Sequence, residues 1–131
     1  MKRIIRVSAL VVLALATLTA VGCKYKTAPL PANAITAIDA DINSTLITGH
    51  AAIERYEKDV TAGLHKNVTP TEKLIVNTLV KSLNIADPLY QAYHKVLQTD
   101  PGAPEPAELA TAVSTVKSNT ANAIALVNGG K

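Results

Sequence analysis

Residues 69–99 read TPTEKLIVNTLVKSLNIADPLYQAYHKVLQT. Within them Val76, Leu79, Leu83, Ala86, Tyr90, Tyr93 and Leu97 step alternately by three and four, which places them on one face of an α-helix. Thr69 and Glu72, three apart, have the spacing of a capping box, and Pro70 fits the first helical position, where a missing N–H costs nothing. Pro88 falls inside the run, removes one backbone donor and crowds the preceding turn. Because the apolar stripe keeps its phase across Pro88, the sequence predicts one helix kinked there. The alternative is a break at Asp87, with Asp87 capping a new helix.

The same period extends on both sides. Upstream, Ile35, Ile38, Ile42, Leu46, Gly49, Ile53, Tyr56 and Val60 form a second stripe, with Asn33 as the expected N-cap and Gly63 with His65-Lys66-Asn67 as exit and loop. Downstream, Asp100-Pro101-Gly102-Ala103-Pro104-Glu105-Pro106 is a turn. A third stripe then runs through Leu109, Val113, Val116, Thr120, Ile124 and Val127. Glu105 and Glu108 favour its amino end, and Asn128-Gly129-Gly130 its stop. Neither a strand pattern nor an internal repeat is present. The expected fold over residues 32–131 is all-α: an up-down-up antiparallel three-helix bundle, middle helix kinked at Pro88, about 40 Å long at 1.5 Å per residue.

The amino terminus has a different character. Met1-Lys2-Arg3-Ile4-Ile5-Arg6 is a short basic head, and Val7 to Val21 carries no charge. That apolar run is shorter than the roughly 20 residues a spanning helix needs and has the length of a signal-peptide core. It ends in Ala20-Val21-Gly22-Cys23, and Cys23 is the sole cysteine. This stretch resembles the lipobox of bacterial lipoproteins, although Ala20 stands where Leu is commonest. The resemblance covers residues 1–23 and identifies a processing class. It implies that residues 1–22 are a signal peptide and that Cys23 becomes the lipidated first residue of the mature protein, anchored by several acyl chains. Residues 23–31 then form the lipidated cysteine and a Pro-containing tether reaching at most about 26 Å. Lys24 is not the Asp that signals inner-membrane retention in enteric bacteria, so the resemblance implies the outer membrane, facing the periplasm, in a Gram-negative host.

Charge and composition narrow the function. Three of the 13 basic residues precede Cys23 and all 10 acidic ones follow it, so the mature chain has balanced charge. Without a basic field to neutralise phosphates, nucleic acid is not an expected partner. A length of 131 residues allows one domain. Four Tyr with no Phe or Trp imply a core of small aliphatic side chains, suited to close helix packing, and one cysteine permits no internal disulfide.

No residue set carries a recognisable catalytic, cofactor or metal pattern. His50, His65 and His94 lack the paired spacing of a zinc site and are expected to play surface roles. Folding the first hairpin about residues 66–67 brings residue i opposite roughly 133 − i, so His94 faces Asp39 and His50 faces the Leu83 region. Asp39 and Asp41, two apart, point to different sides of a helix. Glu54 and Glu57 belong to a solvated face with Arg55, Lys58 and Asp59, where Glu54 and Lys58 have pairing spacing. Tyr56, Tyr90 and Tyr93 sit on the stripes as core residues. Serines lack the Gly-x-Ser-x-Gly and Ser-x-x-Lys settings of nucleophiles.

The expected function is therefore non-enzymatic: a lipid-anchored envelope protein, joined to the membrane through Cys23, that contacts another envelope protein or acts structurally. The alternative is a module holding a small apolar ligand or a partner helix between its helices. A cell-wall or lipid hydrolase ranks third. Terminal Lys131, on its Asn128-Gly129-Gly130 arm, resembles the lysine by which the major murein lipoprotein of enteric bacteria is joined to peptidoglycan. Three short helices, the prolines and the residues before Lys131 depart from that pattern, and peptidoglycan ranks last among the partners.

Overall fold

The computed structural model describes Leu30, Pro31 and residues 33–129. The signal segment 1–22, Cys23, most of the tether and Lys131 lie outside the described residues. Three α-helices account for most of what is described: α1 (Ala37–Thr61), α2 (Pro70–Thr99) and α3 (Ala107–Gly129). Each packs on the other two, and α3 makes the more extensive contacts with both partners, leaving α1–α2 as the thinnest seam. The expected all-α three-helix bundle is the observed fold.

The ends of the helices follow from local chemistry. α2 starts on the predicted capping box: the Thr69 hydroxyl accepts the Glu72 N–H at 3.2 Å, and the Glu72 carboxylate accepts the Thr69 N–H at 3.0 Å. α1 ends in a Schellman turn, with the Gly63 N–H donating to the Val60 carbonyl and the Leu64 N–H to that of Asp59. Gly63 has φ +74°, a conformation that side chains with a Cβ rarely adopt. Between α2 and α3, Asp100 accepts the Gly102 N–H through its side chain, and the Tyr93 hydroxyl donates to the Ala103 carbonyl.

α2 is continuous through Pro88, so the alternative break at Asp87 does not occur. Asn84, whose carbonyl loses its usual donor, is exposed, as is Pro88. Water can therefore satisfy the orphaned carbonyl. All seven residues of the α2 stripe are buried.

The other two stripes need correction. Thr36 rather than Asn33 caps α1, accepting the Asp39 N–H at 3.1 Å. With the helix started there, Asp39 turns inward while Ile35 and Ile38 are 39% and 50% exposed. On α3 the buried face runs through Ala112 and Ala123, and the larger Val113 and Ile124 shift toward its edge. Small residues let α3 approach its neighbours closely. A Cβ added at Gly49 on α1 would lie 3.1 Å from Leu83 Cδ2, 3.2 Å from Thr120 Oγ1 and 3.3 Å from Val116 Cγ1, so this glycine is where the three helices meet.

Leu30 packs against the core, and the Pro31 carbonyl accepts the side-chain amide of Asn43 at 3.2 Å. The last two residues of the predicted tether are thus docked on the bundle.

Candidate functional site

The polar interior of the bundle lies along the α1–α2 seam. Asp39 to His50 is three helical turns and Asp87 to His94 is two, so each helix presents one acid and one histidine along its facing stripe. The pairs are crossed: the acid of α1 meets the histidine of α2, and the acid of α2 meets the histidine of α1.

Near the start of α1, His94 Nδ1 lies 3.0 Å from both carboxylate oxygens of Asp39. Asp39 is fully buried and His94 is nearly so. The same carboxylate accepts the Ile35 N–H at 2.6 Å. The Tyr90 hydroxyl donates to the Asp39 carbonyl at 3.4 Å, and the Tyr90 and His94 rings meet edge to face at 5.9 Å. Burial pushes the Asp39 carboxyl up, but hydrogen bonds from Ile35, His94 and Tyr90 outweigh it and hold the group below the ordinary carboxylate value. Burial and the neighbouring Asp39 push the Tyr90 hydroxyl well above its usual range.

Deeper in the seam His50 Nε2 lies 3.0 and 3.3 Å from the two oxygens of Asp87, both residues being buried. At the far end His65 Nδ1 stands 3.5 Å from Glu72, and its ring covers Tyr56 at a centroid distance of 5.2 Å. Burial, with the charge of Glu72, pushes the Tyr56 hydroxyl up to about 12.

The surface roles expected for the histidines are therefore wrong: the side chains of His50, His65 and His94 are 10%, 5% and 8% exposed, each against a carboxylate. A neutral or charged imidazole is tolerated inside a helical seam because the opposing carboxylate satisfies its N–H. The expected register placed His94 opposite Asp39 correctly. His50 meets Asp87, one turn beyond the Leu83 region. Asp39 is buried and Asp41 exposed, so the two point to different sides as expected; Glu54 and Glu57 are exposed, as read from the sequence, and Tyr56, Tyr90 and Tyr93 are buried. Among the described residues the ion pairs are the three histidine–carboxylate ones, so Glu54 and Lys58 do not close theirs. The same residues contain no group of three or more His, Cys, Asp or Glu placed to hold a metal.

The burial of Asp39 had a sequence signal. Thr36-Ala37-Ile38-Asp39 is a Thr-x-x-Asp helix start, and recognising it fixes the phase that turns Asp39 toward His94.

Chemically the seam can do two things. The buried His50–Asp87 pair clamps α1 to α2. The Asp39–His94 pair does so too, but His94 also lines a shallow groove at the bundle surface with Asn33, Ile35, Gln91, Lys95 and Gln98. No protein-family model, curated protein or solved structure matches the chain.

Proposed function

We propose that the protein is a lipid-anchored component of a bacterial envelope whose helical bundle has a non-enzymatic, structural or protein-contacting role. The observation that carries this reading is Cys23, the sole cysteine, standing at the end of a lipobox-like stretch behind a basic head and a 15-residue uncharged segment. In the bundle His50 and His94 join α1 to α2 through Asp87 and Asp39, a structural use of both side chains that is compatible with this reading. On this reading the attachment is the lipid on Cys23; no helix among the described residues is long and apolar enough to cross a membrane. In a Gram-negative host, Lys24 favours the outer membrane, periplasmic side. Cell fractionation tests it: the wild-type chain should partition with membranes and Cys23→Ser should not reach the mature, membrane-bound form. Equal partitioning of both would defeat the reading.

A second reading has a specific observation behind it. Between α2 and α3 an open apolar groove is lined by Ser82, Ile85, Leu89, Ala107, Thr111 and Ala112, and Ile85 is 60% exposed. An amphipathic partner helix fits such a surface. A photo-crosslinking side chain at position 85 tests it; a single discrete adduct in cells is the expected result, and none would remove this reading. The tie of Lys131 to peptidoglycan keeps the lowest rank. Digestion of detergent-washed sacculi with muramidase tests it, and failure to release the protein would exclude it.

A further inference from the structure

Pro31, where the described chain joins the bundle, forms one wall of the groove that His94 lines. The other polar groups there are the amides of Asn33, Gln91 and Gln98 and the ammonium of Lys95, with no carboxylate on the lining. Asp39 lies beneath, fully buried, bonded to the Ile35 N–H and to His94. A carboxylate can only accept, so Nδ1 of His94 carries the proton and, in the neutral ring, Nε2 is left as an acceptor. Nε2 makes no hydrogen bond among the described residues, and it belongs to the ring edge turned away from Asp39. The groove therefore combines donors for an anion with one oriented lone pair for a neighbouring donor.

We propose that this groove takes a phospholipid headgroup in which the phosphate carries a hydrogen-bond-donating amine or alcohol, as in ethanolamine and glycerol headgroups. Lys95 and the amide NH2 groups bind the phosphate oxygens, and His94 Nε2 accepts from the ammonium or hydroxyl. A choline headgroup, whose nitrogen bears no N–H, leaves Nε2 unsatisfied. The proposal rests on the reading of Cys23 as a lipid anchor. Pro31 lies eight residue steps after Cys23, a span of at most about 26 Å, so the anchor holds this groove near the headgroup layer. Ile35 and Ile38, 39% and 50% exposed, give the same end of the bundle apolar side chains for the membrane interface.

The test uses the mature lipidated protein with isotope-labelled histidine rings in nanodiscs of phosphatidylcholine, alone or with part of it replaced by phosphatidylethanolamine. The His94 signal, identified by its loss in His94→Gln, should move when phosphatidylethanolamine is introduced, while those of His50 and His65 stay. Lys95→Gln, an exposed change that leaves the core intact, should raise the phosphatidylethanolamine fraction needed for that movement about tenfold, the worth of one charge-assisted contact. Identical His94 signals in both discs would overturn the proposal. Flotation of wild-type protein and Cys23→Ser scores the anchor separately. If the anchor fails, Cys23→Ser protein is titrated with glycerophosphoethanolamine in solution. A saturable shift of His94 then upholds the headgroup chemistry, and its absence overturns it.

Discussion

At the residue scale, Asp39 carries the most physical consequence. A fully buried carboxylate is costly unless its oxygens are satisfied, and here Ile35 and His94 bond its carboxylate while Tyr90 bonds its backbone carbonyl. Those interactions hold its folded pKa below the ordinary value despite the burial that raises it. The sign of the pH dependence follows. The unfolded carboxyl binds a proton more readily than the folded one, so the Asp39 contribution is present above about pH 4, the unfolded value. It is lost as pH falls through the folded value. Urea unfolding between pH 7 and pH 3 should show stability declining at the acid end, and Asp39→Asn should flatten that limb while lowering stability at neutral pH. An unchanged acid limb in Asp39→Asn would assign the loss to other groups. The sequence suggested the partnership of Asp39 with His94 through hairpin register, yet not its burial. Ile35, Ile38 and Asp39 compete for the first inward positions of α1, and apolar periodicity alone awards them to isoleucine. Thr36 reverses that choice by setting where the helix begins.

At the scale of elements, α2 was the most legible because capping box, N1 proline and an unbroken stripe all agree. Its one internal conflict is Pro88. Pro88 is exposed, so its ring contributes little packing, and the carbonyl of Asn84 goes without an intrahelical donor. Pro88→Ala should restore that hydrogen bond and stabilise the protein by about 1 kcal/mol or more, read as a higher unfolding midpoint. A clear drop would mean that the proline-induced geometry is needed for the Tyr90 and Tyr93 packing. α3 was less legible for a reason of size. Periodicity favours the larger Val113 and Ile124, whereas close packing against α1 and α2 selects Ala112 and Ala123. Gly49 marks the same closeness from the other side. Gly49→Leu has no room among Leu83, Val116 and Thr120 and should destabilise by about 1–3 kcal/mol through overpacking. Wild-type stability in that variant would show that the helices separate more easily than their contacts imply.

At the scale of the whole molecule, the bundle and the address are separate inferences. The bundle follows from three apolar stripes joined by short turns; the α2 stripe is buried at every position, whereas Ile35, Ile38 and Ile124 of the other two are exposed. The crossed histidine–carboxylate pairs add polar specificity to the thinnest seam, which fixes the mutual register of α1 and α2 more narrowly than aliphatic contacts alone would. Attachment to a membrane rests on the chemistry of residues 1–23, read from the sequence. Leu30 and Pro31 are docked on the bundle, so on the lipoprotein reading the six residues 24–29 bridge Cys23 and the bundle, a reach of at most about 20 Å. An anchored bundle of this kind stays close to its bilayer, which is also what the headgroup groove requires. The most direct measurement is intact-mass spectrometry of the protein purified from its host membrane. The expected species is a chain that begins at Cys23 and carries the added mass of a diacylglyceryl group on its sulfur. A chain that retains residues 1–22, or one that begins elsewhere with Cys23 unmodified, would contradict the lipoprotein reading.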